Sequence, residues 1–305
     1  MGNAAKRRWV VTGAGGQLGL SLAASLRDDP ANALAAAFDH RALDIADDAA
    51  VRRALTGLPG GRPDVVANAA AMTHVDRCEA EPAAAETANA TGPGLLAALC
   101  QELGARLVHV STDYVFDGTG TRPYTEVDPT APRSVYGRTK LDGERRVLAA
   151  QPDALVVRAA WVFGPGRNFV RTILEAAARA QRGEAPALRV VDDQRGSPTY
   201  SGDLADGIVG LVDADANGIF HLANAGVASW WDLARAAVDI WGHPELPIEK
   251  VRTEEFPRPA PRPAWSVLDT SKASRLGVRM RAWREGLRGY LDSDASPLRE
   301  LGASS

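Results

Sequence analysis

The stretch Trp9-Val10-Val11-Thr12-Gly13-Ala14-Gly15-Gly16-Gln17-Leu18-Gly19 decides the fold. An apolar run of strand length ends in a glycine cluster, and a helical segment, Leu20 to Leu26, follows at once. Gly13, Gly16 and Gly19 keep the spacing G-x-x-G-x-x-G, with Gly15 in the same cradle. Between a strand and a helix this spacing points to dinucleotide binding rather than a plain tight turn. Glycine permits the sharp turn and lets backbone N–H groups approach a pyrophosphate. The helix N-terminus adds the positive end of its dipole.

Outward from this loop, apolar strands (Leu34–Phe38, Val65–Ala67, Leu107–Val110, Leu155–Val157) alternate with helical stretches (Val51–Leu55, Pro82–Glu102, Tyr136–Ala150). Such alternation predicts an α/β fold, a Rossmann-type doubly wound parallel sheet covered on both faces. After Arg158 the helical segments Phe169–Gln181, Asp203–Val212 and Trp230–Trp241 are separated by turns rich in Gly, Pro and Asn. The run Pro257–Pro263 reads as an extended segment along a surface or cleft, or as a linker. The expected organisation is a nucleotide-binding domain over 1–162, rejoined by 193–222. A smaller C-terminal substrate-binding domain takes 163–192 and 223–305.

Composition narrows the function. Among 305 residues, 35 Lys and Arg oppose 38 Asp and Glu, a formal net charge of −3. That balance argues against a nucleic-acid partner. The 45% hydrophobic content argues against disorder. Cys78 and Cys100 are too few for a disulfide scaffold, and five scattered histidines show no zinc spacing, so no metal is expected. No run approaches the ~20 apolar residues of a membrane span, and nothing after Met1–Arg8 has the length of a signal-peptide core. The expectation is a cytoplasmic protein with no membrane partner.

Asp39 closes the second strand about 20 residues past the glycine loop, where a carboxylate would accept the adenine ribose hydroxyls. Arg41, two residues on, would instead favour a 2′-phosphate, so both NADH and NADPH remain open. Asp44 and Ile45 form an acid–apolar pair placed to flank adenine, with Asp44 alternatively a helix cap. Tyr136 and Lys140 lie four apart on one helix face. A neighbouring ammonium favours the phenolate and brings a phenol with pKa of about 10 towards the working range. The lysine would also hold the nicotinamide ribose. The fourth strand ends in Ser111-Thr112, at the carboxyl edge where open sheets bind ligands. The trio reads as Thr112 polarising a carbonyl, Tyr136 donating the proton and Lys140 tuning it.

These residues resemble the extended short-chain dehydrogenase/reductase family, and within it the dTDP-4-dehydrorhamnose reductases. The resemblance covers almost the whole chain. It runs through Thr12–Gly19, Asn68–Asp76, Ser111–Gly118, Tyr136–Glu144, Arg158–Gly164, Asp193–Thr199 and Arg262–Asp269. It implies NADPH- or NADH-dependent reduction of the C4 ketone of a dTDP-4-keto-6-deoxy-L-sugar, foremost dTDP-4-dehydro-L-rhamnose. It further implies that Gly16, Gln17 and Leu18 lie on the pyrophosphate and that Ala70, Ala71, Met72 and Thr73 line the cofactor. Thr112, Asp113 and Trp161 would touch the sugar, the indole against its apolar face. Arg167 and Asn168 would reach the substrate diphosphate, unless their turn is simply solvated. Dehydratases of the same family carry Asp-Glu after the strand-end Thr, whereas Asp113-Tyr114 follows here, which favours reduction over elimination. Relatives linked by magnesium carry Glu just after the glycine loop, where this chain has Leu20-Ser21. A monomer or weak homodimer without metal is expected. Two alternatives stay open: a dihydrostreptose synthase or other antibiotic deoxysugar 4-ketoreductase, and a non-catalytic nucleotide-binding regulatory subunit.

Overall fold

The computed structural model of the chain describes residues 6–27 and 29–302. The expectation of no targeting segment, read over Met1–Thr12, falls partly on residues 1–5, outside the described residues. Five strands, β1 (Arg7–Thr12), β2 (Asn32–Phe38), β3 (Val65–Asn68), β4 (Arg106–Thr112) and β5 (Leu155–Ala159), are joined by the Gly218–His221 strand. They form one six-stranded sheet in the order Gly218–His221, β5, β4, β3, β1, β2. Every pairing is parallel. The strands read as unbroken apolar runs because both faces are covered. Trp9, Val11, Val65, Ala67, Leu155 and Val157 pack on one face with helix α1 (Gln17–Arg27) and the Ser201–Asp213 helix. Val10, Val66, Leu107 and Val156 pack on the other, with Val51, Leu55, Leu96 and Val147 from the opposing helices.

The strand order reverses between β1 and β3, which opens a crevice at their carboxyl ends. Gly13 and Gly19 close the loop there: a Cβ at Gly19 would overlap the Gly13 carbonyl, and one at Gly13 the Ala69–Ala70 backbone. The helix expected over Pro82–Glu102 is interrupted by a π-helical turn, Thr87–Thr91. This turn carries Asn89, whose amide accepts from Met72 N at 2.8 Å and donates to Met72 O at 3.1 Å. It thereby fixes the loop after β3. π-Turns of this kind are common at functional sites.

Past β5 the chain builds a second apolar cluster from Val170, Leu174, Leu188, Leu233, Trp283, Leu287 and Tyr290. Between these segments it returns to the sheet through the Ser201–Asp213 helix and the Gly218–His221 strand. The proline-rich run crosses back over the crevice. Ala260 N donates to Asp76 Oδ1 at 3.2 Å, and Arg262 pairs with Asp76 at 2.9 Å.

One ion pair lies deep between sheet and helix. Arg158 of β5 donates twice to Glu144 of the Val135–Ala150 helix, at 2.9 and 2.7 Å, and both side chains are at most 3% exposed. Ser111 Oγ donates to the same carboxylate at 2.5 Å. Removing one partner leaves the other charge buried and unpaired. Glu144→Ala is therefore expected to lower the unfolding free energy by about 3–5 kcal/mol, measured by urea denaturation. The double variant Glu144→Ala, Arg158→Leu should recover part of that loss.

Candidate active site

The carboxyl ends of β1, β3 and β4 open into three adjoining cavities. The first, of about 750 Å³, is bounded by the glycine loop, Asp39–Arg41, Asp44, Ile45 and Ala69–Met72. Gly15 and Gly16 are exposed on its floor, and a Cβ there would meet only Asp39 Cβ at 3.3 Å and Gly13 O at 3.4 Å respectively. The absent side chains leave this backbone open to a phosphate, while Gly13 and Gly19 are glycines for packing. Gln17 Oε1 is buried without a hydrogen-bond partner among the described residues, close to the loop a pyrophosphate would occupy. The residues fit a dinucleotide on these grounds.

Asp39 Oδ1 accepts from Arg41 N at 3.0 Å and Ala42 N at 2.9 Å, and so holds the turn that brings His40 and Arg41 to the cavity wall. Asp44 also lines the wall, and it is not the helix cap. Asp47 takes that role by accepting from Ala50 N at 2.9 Å, while Asp44 accepts from Ala46 N.

The second cavity, of about 560 Å³, continues from Gly15–Gly19 past Thr112, Asp113, Tyr136 and Lys140 to Trp161, Arg167 and Trp230. Ser134 caps the Val135–Ala150 helix by accepting from Gly137 N at 3.0 Å. Gly137 lets the helix start against the Asp113–Val115 turn that follows β4, since a Cβ there would collide with Tyr114 O. Tyr136 thus faces the end of β4. Burial pushes its phenol up, opposed by a hydrogen bond with Thr112. This differs from the expected lowering by Lys140. The Lys140 amine is itself buried and donates to Val110 O at 2.6 Å, so its charge is anchored on β4. A phenol held protonated is the form that donates a proton.

Thr112 Oγ1 donates to Asp113 Oδ1 at 2.9 Å and accepts from Tyr114 N at 3.2 Å. Asp113 Oδ2 is buried without a partner among the described residues. Burial raises the Asp113 carboxyl to about 6. An unpaired acceptor beside the phenol is placed to take a ligand hydroxyl.

Trp161 has a left-handed φ of 47° and stacks on Trp230, with ring centroids 3.7 Å apart. Its Nε1 donates to Ser266 Oγ at 3.2 Å, and a Cβ at Gly196 would overlap the indole. One indole face is therefore already covered. Strain of this kind persists where the surroundings over-determine it, often at ligand sites.

A third cavity, of about 750 Å³, adjoins at Thr73, Val75, Tyr114 and Trp230. Asp76, Arg189, Phe256, Arg258 and Arg262 line it, so it offers cations and an aromatic face together.

Every residue expected from the sequence lines this cleft except Asn168. Its amide donates to Gly164 O at 2.6 Å, Gly166 O at 3.1 Å and Tyr290 Oη at 2.9 Å, and its oxygen caps the Phe169–Gln181 helix through Arg171 N. With all its groups engaged, Asn168 shapes the turn that carries Arg167 instead of facing a ligand. Sequence reasoning missed Trp230, Arg189, Arg258 and Arg262. The adjacent Trp230-Trp231 pair and the arginines between prolines were the visible signals.

The family model described as the RmlD substrate binding domain matches residues 7–296. A dTDP-4-dehydrorhamnose reductase of Mycobacterium tuberculosis is 44% identical over 297 residues, covering 95% of this chain and 94% of the relative. A dTDP-4-keto-6-deoxy-D-glucose reductase of Streptomyces niveus is 40% identical over 283 residues, covering 92% and 95%. Among solved structures, the dTDP-4-dehydrorhamnose reductase of Bacillus anthracis in complex with NADP superposes with a TM-score of 0.86. It is 34% identical, covering 94% of this chain and 99% of that one.

The Asp113 environment has a direct readout. Its carboxyl carbon should titrate near 6 by ¹³C NMR, and Asp113→Asn should remove that transition. Because the folded value lies above the ordinary 3.8, its contribution to stability is full below 3.8 and is lost as pH rises through about 6.

Proposed function

The chain belongs to the RmlD substrate binding domain family, and on that premise we propose that it reduces the C4 ketone of a dTDP-linked 4-keto-6-deoxy sugar with NADPH. The foremost substrate is dTDP-4-dehydro-L-rhamnose. The observation that carries the proposal is one continuous cleft holding a nucleotide cradle, a proton-holding Tyr136 beside Thr112, and a cationic cavity beyond the tryptophan pair. A site for a regulatory nucleotide alone would call on the first of these features and not on the other two.

Reduced nicotinamide, when bound, supplies hydride to the ketone carbon. The remaining chemistry belongs to the chain. Gly15 and Gly16 offer backbone N–H groups to the pyrophosphate. Lys140 holds the ribose beside the ketone. Tyr136 donates its proton to the developing alkoxide, and the Thr112 hydroxyl, once its hydrogen turns from Asp113 Oδ1, donates to the same oxygen. Asp113 accepts a sugar hydroxyl, and Trp161 with Trp230 presents an aromatic wall to the 6-deoxy face. Arg189, Arg258 and Arg262 answer the charge of the substrate diphosphate, and Arg167 guards the same passage.

The smaller lobe, over 163–192 and 223–305, is then the substrate-binding part. Two relatives with different sugars in their names leave the product to be identified. Incubation with dTDP-4-keto-L-rhamnose and NADPH should give dTDP-L-rhamnose by NMR, whereas a furanose product would move the enzyme to another deoxysugar.

Tyr136→Phe should reduce kcat by at least ~10²-fold while leaving NADPH affinity, measured by fluorescence titration, unchanged. Full turnover in that variant would remove the proposed proton donor. Arg41 is exposed at the adenine end and suits a 2′-phosphate. Arg41→Ala should therefore weaken NADPH binding about tenfold and leave NADH binding as it was.

A further inference from the structure

Beneath the catalytic helix a line of buried polar side chains crosses the sheet. Thr12, Asn68 and His109 are register neighbours on β1, β3 and β4. All three are at most 1% exposed. The line ends at Lys140, whose Nζ lies 3.5 Å from His109 Nε2.

The direction of each hydrogen bond follows from one fixed donor. Ala70 N, a backbone N–H, points at Asn68 Oδ1 at 3.1 Å. A backbone N–H only donates, so this atom is the amide oxygen. The Thr12 hydroxyl donates to the same oxygen at 2.8 Å. The Asn68 amide nitrogen therefore faces His109 Nδ1, at 3.2 Å. An amide NH₂ only donates, so Nδ1 accepts and is bare. Full burial and the Lys140 charge keep His109 neutral by holding its pKa well below the usual histidine range. A neutral imidazole with a bare Nδ1 carries its hydrogen on Nε2.

That hydrogen points at Lys140. An ammonium has three donors and no acceptor, so the contact opposes the charged form. A neutral amine has a lone pair that accepts the Nε2–H. We propose that Asn68 locks His109 as the Nε2–H tautomer and that His109 is thereby a positioning residue that favours the neutral amine of Lys140. The 3.5 Å separation fits two facing donors held apart, beside the 2.6 Å bond from the same amine to Val110 O.

The other groups around the amine act in both directions. Glu144, one turn on, favours the ammonium, although Arg158 on β5 already pairs with that carboxylate. The Val110 carbonyl favours the ammonium. Tyr136, one turn back, is held neutral by burial, and Asp113 stands across the same cleft. Burial is the largest influence and brings Lys140 down to about 8. His109 acts in the same direction as burial. The functional consequence rests on the proposed reduction, in which Lys140 serves as an ammonium: activity is then lost as pH rises through the Lys140 titration, and His109 sets where that occurs.

The tautomer can be tested without any assumption about activity. In cofactor-free protein labelled with ¹⁵N-histidine, long-range ¹H–¹⁵N correlation should show His109 protonated at Nε2 and bare at Nδ1. The signal is assigned by its loss in His109→Met, or by elimination using variants at His40, His74, His221 and His243. Asn68→Asp, which replaces the donor with an acceptor, should move the hydrogen to Nδ1. A wild-type His109 protonated at Nδ1 or at both nitrogens would overturn the proposal.

The consequence for Lys140 is read from the alkaline limb of kcat/KM. In His109→Met that limb should move to higher pH by about one unit, and in Asn68→Asp in the same direction. A fall in rate with the limb unmoved would reduce His109 to packing and overturn its proposed role. Absence of turnover on every keto sugar tested, with the Nε2–H pattern intact, would count against the reductase reading and leave the tautomer assignment standing.

Discussion

Burying the amine of Lys140 is the constraint to which the centre of the molecule answers. An isolated charge inside a protein costs several kcal/mol, and Lys140 is 1% exposed. The Val110 carbonyl takes one of its hydrogens, and Glu144 supplies opposite charge one helical turn away. That carboxylate is itself buried, so Arg158 and Ser111 must reach it from β5 and β4. Arg158 in turn lies over the Phe116 ring at 5.1 Å. One amine thus fixes the position of the Val135–Ala150 helix on two strands, and any sliding of that helix would leave several charged groups without partners.

The same strand ends position the rest of the cleft. In register across the sheet, Thr12 of β1 meets Asn68 of β3, and Asn68 meets His109 of β4. The backbone N–H of Ala70, just beyond β3, holds the Asn68 amide, and the π-turn at Asn89 holds Met72 two residues later. The loop that lines the cavity beside the glycine loop is therefore held by side chains from its own sheet and from the helix above it. Trp161 stands two residues past β5. Its backbone strain is sustained by Trp230, Ser266 and the space at Gly196, all from segments past β5.

Local patterns carried much of this in the sequence. Apolar runs marked all five N-terminal strands, and the glycine spacing and the Tyr136/Lys140 interval marked the cleft. What stayed hidden depended on partners far along the chain. His109 reads as one polar residue in a strand until Asn68 and Lys140 are brought to either side of it. Asn168 reads as a polar group in a glycine turn, suited to an anion, until Tyr290 arrives, 122 residues later, to share its amide. Lys140 reads as an ammonium beside a phenol, because helix spacing reports a shared face and says nothing of the strand carbonyl underneath. The arginines of the proline-rich run needed Asp76, 186 positions earlier for Arg262, to turn a linker into a cleft wall.

The residue after Asp113 shows how structure sharpens a distinction that sequence only suggested. The resemblance implies a glutamate at this position in a dehydratase, and a carboxylate can take a proton from carbon. Here the position holds Tyr114, packed edge-on to Tyr136 with centroids 5.4 Å apart. Burial and the neighbouring Asp113 push its phenol up, so it stays protonated across the neutral range. A base for elimination is thus missing where one would be needed, while the two phenols, both held protonated, leave a site able to give a proton. Ketone reduction requires that capacity and no carbon base, and burial holds the protons of Tyr114 and Tyr136 alike.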